Sequence, residues 1–231
     1  MEESQKISQA VEIDNVLKIQ RIHALSLRNS DYRQRLAVLD RFEKVFRASF
    51  GEIYRASFAD FSKSEAEVDF TEIFTVLSEL KHIRKNLRSW MKSKNAASAL
   101  TMFGTSAKII SEPRGVCLVV SPWNYPFNLT FCPMMLAIAA GNTVIIKPSE
   151  LTPNMSKVIC DIVGKAFTPE EVAAFQGDAS TASYLTSLPV DHIFFTGSPS
   201  IGRRVMAAAA ENLTSLTLEL GGKSPVVIDH T

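Results

Sequence analysis

The stretch "HIFFTGSPSIG", residues 192–202, joins two kinds of structure and decides the fold. Its first half is apolar and rich in β-forming residues, which predicts a buried strand. Its second half places Ser198 before Pro199, and a serine N-cap followed by proline at the first helical position is typical of a helix start. The stretch therefore predicts a strand that turns at Gly197 and continues into a helix.

The same order of strand and helix recurs on both sides of this stretch. The predicted strands are 115–122, 142–150, 192–197, 215–220 and 225–229, with a further candidate at 172–177. The predicted helices between them are 126–141, 153–167 and 198–212. Near-continuous apolar strands that alternate with helices indicate an α/β fold, namely a Rossmann-like open parallel sheet with helices on both faces.

The first hundred residues predict an N-terminal helical layer, since they contain no proline and a single glycine, Gly51. One helix is predicted over 30–50 with Ser30 as N-cap, and another over 67–91. Their predicted apolar positions are Leu36, Leu39, Phe42, Phe46 and Phe50 in the first, and Phe70, Ile73, Phe74, Leu77, Leu80, Ile83 and Leu87 in the second. The predicted organisation is a helical segment at 1–98, an extended linker at 99–112, an α/β domain at 113–212 and a C-terminal stretch at 213–231.

Composition excludes several classes of function. Lys plus Arg is 25 and Asp plus Glu is 24, so a net charge of +1 gives no electrostatic footprint for nucleic acid or an acidic membrane. The apolar run at 131–140 is far shorter than a membrane span, and the polar start resembles no signal peptide. Three unpaired cysteines favour a reducing, cytoplasmic location. The four histidines lack metal-ligand spacing, so we expect no metal site.

Polar groups follow the carboxyl ends of the predicted strands, where open α/β sheets bind ligands. The residues expected to share one cleft there are Asn124, Lys147, Glu150, Ser198 and Glu219. Gly197 and Ser198 open a helix, and free N–H groups with the helix dipole favour an anion such as a pyrophosphate. The same pattern is typical of a capped helix with a packing glycine at Gly202. Lys147 and Glu150 suit a ribose, and a carboxylate there favours NAD over NADP. On this stretch alone, a solvated Lys–Pro turn capped by Ser149 and Glu150 is the favoured alternative.

Two further residues are candidates for chemistry. Asn124 lies in the proline-flanked loop "SPWNYPF", residues 121–127, where its amide could donate to a developing oxyanion or satisfy a turn. Glu219 lies on the polar side of an alternating strand and precedes the pair Gly221–Gly222. It is either a solvent-facing strand residue or a partly buried general base with a raised pKa.

Four of these stretches together resemble the motifs of the aldehyde dehydrogenase superfamily. They are "PWNYPF" (122–127), "AIAAGNTVIIKPSE" (137–150), "FFTGSPSIG" (194–202) and "LTLELGGKSP" (216–225). Residues 112–131 and 205–225 are most similar to its class 3 branch, which acts on fatty or aromatic aldehydes. The resemblance is dense from about 112 to 229 and looser over the N-terminal helices.

The resemblance implies a role for each matching residue. Asn124 matches the asparagine that stabilises the oxyanion, and Glu219 the glutamate that activates water or the thiol. Lys147 and Glu150 match contacts to the adenosine ribose. The implied cofactor-binding residues are Trp123, Lys147, Glu150, Phe195, Thr196, Gly197, Ser198 and Gly221. The implied cofactor is NAD, with NADP as the alternative, the implied substrate is a small-molecule aldehyde, and the implied assembly is a homodimer. The resemblance also implies that residues 113–212 form the NAD(P)-binding domain and that residues 213–231 begin the catalytic domain.

The sequence departs from the family pattern in its cysteines. Family chemistry needs a thiolate that attacks the aldehyde, so that hydride passes to NAD(P) and water hydrolyses the thioester. That cysteine follows the glutamate motif by a few dozen residues, and Cys117, Cys132 and Cys160 are instead predicted to be small core residues. We expect an inactive piece of a longer aldehyde-oxidising enzyme. A non-catalytic nucleotide-binding module and a semialdehyde or acyl-CoA-forming member of the superfamily remain alternatives.

Overall fold

The computed structural model describes residues 2–98, 101 and 104–229. The helices are α1 (Glu2–Leu27), α2 (Tyr32–Ala48), α3 (Phe50–Phe61), α4 (Glu65–Val68), a π-helical turn (Asp69–Ile73), α5 (Phe74–Trp90), α6 (Pro126–Ala139), α7 (Pro153–Ala166), α8 (Ala179–Ser187) and α9 (Pro199–Glu211). The strands are β1 (Lys94–Ala96), β2 (Ala107–Ile109), β3 (Val116–Val120), β4 (Thr143–Lys147), β5 (Val172–Ala174), β6 (His192–Gly197) and β7 (Ser215–Leu220).

Five parallel strands form the central sheet in the order β5-β4-β3-β6-β7. The predicted parallel sheet with helices on both faces is therefore confirmed. Strand β7 pairs with β6 along its whole length, so residues 215–220 extend this sheet. All carboxyl ends lie at one rim, because every pairing in the sheet is parallel.

The pleat of the sheet divides the core in two. Val119 lies between Ile146 and Phe194 in register, and these side chains face α2, α6 and α7. We call this side the α6 face. The neighbouring residues Leu118 and Ile193 point the other way, toward the side chains of α1, α8 and α9. We call that side the α9 face, and the alternation follows from the two-residue period of a strand.

Aromatic rings fill the core of the α6 face. Phe131 lies with its ring centroid 5.0 Å from Phe42 and 5.5 Å from Phe46. A third ring, Phe167, stacks on Phe42 with centroids 6.0 Å apart. Helix α2 thereby joins α6 and α7, and the predicted packing of the N-terminal helices on the sheet has a physical basis.

The structure corrects the boundaries of the helix predicted over 30–50. Asp31, not Ser30, is the N-cap, and Asp31 and Gln34 form a reciprocal capping box. Ser30 instead accepts a hydrogen bond from Nε of Arg35 through its hydroxyl. The helix also ends at Ala48, and a separate helix begins after Ser49.

Replacing Asp31 with alanine is expected to lower the free energy of unfolding by about 1 kcal/mol, because the backbone N–H of Gln34 loses its side-chain acceptor. Urea unfolding of both proteins measures the difference. Asp31→Asn is the matched control, since an amide oxygen can still accept from the Gln34 N–H. An equal loss of stability in both variants would contradict the capping explanation.

The second predicted helix also differs from expectation. The apolar positions Phe70 and Phe74 were expected in the core, yet they are 77% and 66% exposed. The buried face of this segment runs at spacings of three and four through Ile73, Val76, Leu80, Ile83 and Leu87, and Phe74 lies outside it. Glu72 and Val76 are buried in their place.

Three other local predictions need correction. Strand β1 lies within the segment predicted to be helical, and it pairs with β2 as an antiparallel ribbon that includes part of the predicted linker. The strand predicted over 225–229 is wrong, since residues 221–229 have no regular structure. Helix α8 was missed because its sequence lacks an apolar period. Residues 99, 100, 102 and 103 of the predicted linker lie outside the described residues.

Candidate active site

A cleft of about 870 Å³ opens at the carboxyl rim of the sheet. It lies on the α6 face, between the loop after β3, helix α6 and the ends of β6 and β7. The predicted site residues that line it are Trp123, Asn124, Thr196, Gly197, Ser198, Glu219 and Gly221. The topology argument from the sequence thus brings residues from three separate motifs into one cleft.

Thr196 and Glu219 are register partners on β6 and β7. Leu216 and Leu218 pack into the core of the α9 face. Because side chains alternate along a strand, Glu219 projects from the opposite side of the sheet, the α6 face, beside Thr196. Glu219 is exposed among the described residues. Of the two alternatives from the sequence, this agrees with the solvent-facing strand residue and not with the partly buried carboxylate. The hydroxyl oxygen of Thr196 is buried and has no hydrogen-bond partner among the described residues.

The loop after β3 presents Trp123 and Asn124 to the cleft. The indole of Trp123 lies 6.0 Å from the ring of Phe61, centroid to centroid. The backbone carbonyl of Asn124 accepts a hydrogen bond of 2.9 Å from Nζ of Lys63. The side chain of Asn124 is exposed, and the described residues give its amide no hydrogen bond. Lys63 therefore fixes the backbone of Asn124, while the side-chain amide lies at the cleft without a hydrogen bond from the described residues.

Lys147 and Glu150 were expected in the same cleft, but they do not line it and instead form an ion pair at the end of β4. Nζ of the buried Lys147 donates to Oε2 of Glu150 at 2.7 Å and to the carbonyl of Pro148 at 2.9 Å. Partial burial acts to raise the pKa of Glu150, but the hydrogen bond and charge of Lys147 outweigh it and hold that pKa below its ordinary value. The pleat directs Lys147 toward the α9 face, since its neighbour Ile146 faces α6.

Ser198 is the N-cap of α9, with Pro199 at the first helical position, as predicted. Its hydroxyl accepts from the Ile201 N–H at 3.4 Å, and it lies 3.0 Å from the hydroxyl oxygen of Ser200. The helix N-terminus borders the cleft through Gly197 and Ser198. This position offers helix N–H groups to an anion at the rim.

Phe195 does not line the cleft. Its ring is buried in the core of the α9 face, whereas Phe194 faces the cleft beside Thr196. The signal that could have found Phe194 is the two-residue period of β6, because residues 194 and 196 share one side. Sequence reasoning also missed Cys132 and Leu136, which supply part of the α6 wall.

The three thiols have raised pKa values. Burial, followed by the charge of Asp191, raises the pKa of Cys117 to about 12. Burial also raises the pKa of Cys132 to about 12, with smaller contributions from Glu79 and Glu72, and it raises that of Cys160 to the same value. Cys132 lies at the cleft wall, yet its thiol stays protonated at neutral pH and donates to Oδ1 of Asn128 at 3.3 Å.

Other candidate sites are less developed. A cavity of about 410 Å³ between α1, α2 and the turn at Gly141 contains none of the predicted site residues. Across the described parts of the chain, no cluster of three metal-ligating side chains occurs. Within the same residues, no helix combines the length and apolar character that a membrane span requires.

Comparison with known proteins identifies the family of this chain. Residues 4–231 match the model of the aldehyde dehydrogenase family. The chain is 43% identical over 193 residues to 4,4'-diaponeurosporen-aldehyde dehydrogenase of Staphylococcus aureus, covering 84% of this chain and 42% of that protein. It is 45% identical over 178 residues to aldehyde dehydrogenase family 3 member H1 of Arabidopsis thaliana, covering 77% and 37%.

The fold agrees as well. The structure of S. aureus AldH in its substrate-bound state superposes with a TM-score of 0.89 at 39% identity, over 95% of this chain and 48% of that one. The chain thus spans less than half the length of these relatives. Members of aldehyde dehydrogenase family 3 are among its relatives, as the class 3 resemblance predicted. The chain belongs to the aldehyde dehydrogenase family.

Proposed function

We propose that this chain supplies the cofactor site and two catalytic groups of an NAD(P)-dependent enzyme that oxidises an aldehyde to a carboxylic acid. One observation carries the proposal: Asn124, Thr196 and Glu219, from three separate motifs, line a single cleft at the carboxyl rim. Family membership supports the reaction class, since the relatives include proteins named for diaponeurosporenal and coniferyl aldehyde.

The residues present fit a dinucleotide. The ammonium group of Lys147 has three N–H donors. Two of them donate to the carbonyl of Pro148 and to Glu150, so the third can donate to a sugar hydroxyl. The ionised Glu150 can accept from a second hydroxyl. Ser198 and the start of α9 suit the pyrophosphate, and the unpartnered oxygen of Thr196 offers a polar contact at the cleft floor. The cofactor, when bound, supplies a hydride acceptor.

The chain's own groups would act on the aldehyde side. The Asn124 amide can donate to an oxygen that gains negative charge, because Lys63 holds the backbone and leaves the amide unpaired. Glu219 extends from the end of β7 toward the same cleft and can accept a proton from water or a thiol. The attacking thiol is not among the protonated cysteines at 117, 132 and 160.

Titration of the purified chain with NAD and with NADP, followed by calorimetry, tests the cofactor site. We expect saturable binding of NAD and weaker binding of NADP. The reason is the charge of Glu150, which repels a 2′-phosphate by about 1 kcal/mol, or roughly fivefold in affinity. Glu150→Gln should therefore raise the ratio of NADP to NAD affinity by about that factor.

Glu112→Gln is the matched control, because it removes the same charge from an exposed site before the amino end of β3. Its ratio of affinities should equal that of the unchanged chain. If a folded chain bound neither dinucleotide, the proposed cofactor site would be wrong. If both variants gave the same ratio, Glu150 would not face the 2′ position.

A further inference from the structure

A buried ion pair lies behind the loop that carries Asn124. Glu72 sits on the π-helical turn and is fully buried, and Lys63 lies in the connection between α3 and α4 with its side chain 10% exposed. Nζ of Lys63 is 3.7 Å from Oε1 of Glu72. The pair belongs to the N-terminal helical layer, for which the sequence predicted no chemistry.

Lys63 acts on the front of the loop. Its ammonium group donates to the carbonyl of Asn124 at 2.9 Å and lies over the ring of Tyr125, 4.7 Å from the centroid. It also lies 5.1 Å from the centroid of Phe61, the ring that packs against Trp123. One cation therefore contacts two consecutive residues of the loop and the ring that supports a third.

Glu72 acts on the back of the same loop, where α6 begins. Its Oε2 accepts from the backbone N–H of Asn128 at 2.8 Å. The first turn of a helix carries unpaired N–H groups and a positive end of the dipole, so a carboxylate is stabilised there. The side chain of Asn128 also donates to the carbonyl of Thr71 at 3.4 Å, which ties α6 to the π-helical turn a second time.

Glu72 lies on the π-helical turn, directly before α5. Phe70 on the turn and Phe74 at the start of α5 are exposed, whereas Glu72 is buried. Burying a charge and exposing two aromatic rings both cost stability, and such turns occur frequently at functional sites.

We propose that Lys63 and Glu72 are positioning residues that fix the backbone of residues 121–125 and thereby the direction of the Asn124 amide. Lys63 holds the carbonyl of Asn124, and Glu72 holds both Lys63 and the start of α6. The catalytic meaning of this arrangement rests on the function proposed above for Asn124. The arrangement itself does not depend on cofactor or substrate.

The pair should respond to pH. Burial raises the pKa of Glu72 to about 7, against the opposing effects of the Asn128 N–H and Lys63. The groups that face this carboxylate are Lys63 from the α3–α4 connection, the backbone N–H groups of Phe127 and Asn128, and the protonated thiol of Cys132 on α6. Below pH 7 the carboxyl becomes neutral, so Lys63 loses its partner charge and the loop loses its anchor.

Fluorescence of Trp123 reports this event in the full chain. The chain has two tryptophans, so Trp90→Phe leaves Trp123 as the single emitter. We expect the emission of this variant to change between pH 6 and 8 with a midpoint near 7, as the carboxyl of Glu72 titrates. Adding Glu72→Gln should abolish the transition. The control variant adds Glu79→Gln, the same substitution at a position on α5, and its emission should still show the pH transition.

A second measurement needs no change at position 72. The backbone amide of Asn128, followed by NMR in the Trp90→Phe chain, should shift with the same midpoint because its acceptor gains a proton. A flat emission profile, a transition that survives Glu72→Gln, or an Asn128 amide that does not titrate would each overturn the proposal. Loss of dinucleotide binding would leave these readouts unaffected, so failure of the proposed function can be told apart.

Discussion

Replacing Phe131 with alanine is expected to lower the free energy of unfolding by about 3–5 kcal/mol. The ring is fully buried, and its centroid lies 5.0 Å from that of Phe42, 5.5 Å from Phe46 and 6.2 Å from Phe127. Its removal leaves a cavity where α2 meets α6. Since a domain is stable by only about 5–15 kcal/mol, this loss is a large fraction of the total.

Chemical unfolding of the variant, followed by circular dichroism, measures the effect. Phe74→Ala is the matched control, because it deletes the same ring from a position that is 66% exposed. Its stability should stay within about 0.5 kcal/mol of the unchanged chain. If the two variants lost equal stability, the assignment of the aromatic core to the α6 face would be wrong.

The strands and their order along the chain could be predicted because their signals are local. Apolar runs bounded by turn residues mark β3, β4 and β6, and Ser198 with Pro199 marks the start of α9. The parallel sheet then follows from the alternation of strands and helices. The spatial order of the strands does not follow in the same way, since it depends on packing between distant segments.

The π-helical turn could not be predicted from residues 67–91. Phe70 and Phe74 were predicted to be buried from their apolar character, whereas the structure buries Glu72, whose carboxylate accepts from the Asn128 N–H on α6. A contact between residues 56 positions apart leaves no periodic signal. The same reason hides Lys63, whose importance appears only once its ammonium group is seen at the carbonyl of Asn124.

The site was predicted in its location more accurately than in its detail. The rim follows from topology, and Asn124, Ser198 and Glu219 line one cleft there, whereas Lys147 and Glu150, which were expected in the same cleft, do not line it. Exposure depends on what covers the rim, and Glu219 proved exposed rather than partly buried. Phe195, which the resemblance implied to bind the cofactor, is buried in the core of the α9 face, and Phe194 lines the cleft, in keeping with the alternation of side chains along β6.

Residues 1–231 alone are expected to show no aldehyde-dependent formation of NADH or NADPH. The reaction needs a thiolate, and burial raises the pKa of Cys117, Cys132 and Cys160 to about 12. At pH 7.5 such a thiol is ionised to roughly 1 part in 10⁴ or less, compared with about a tenth for a free cysteine. Cys132 is the decisive one, because it is the cysteine that lines the cleft with Asn124 and Glu219.

Absorbance at 340 nm, with a complete aldehyde dehydrogenase as positive control, measures turnover. The unchanged chain and Cys132→Ser should give the same baseline, and both should bind the dinucleotide equally, because the serine keeps the size and the donor to Asn128. Turnover that Cys132→Ser abolished would show that this thiol attacks the aldehyde despite its burial. The proposal that Asn124 and Glu219 act together with a nucleophile other than these three cysteines would then be wrong.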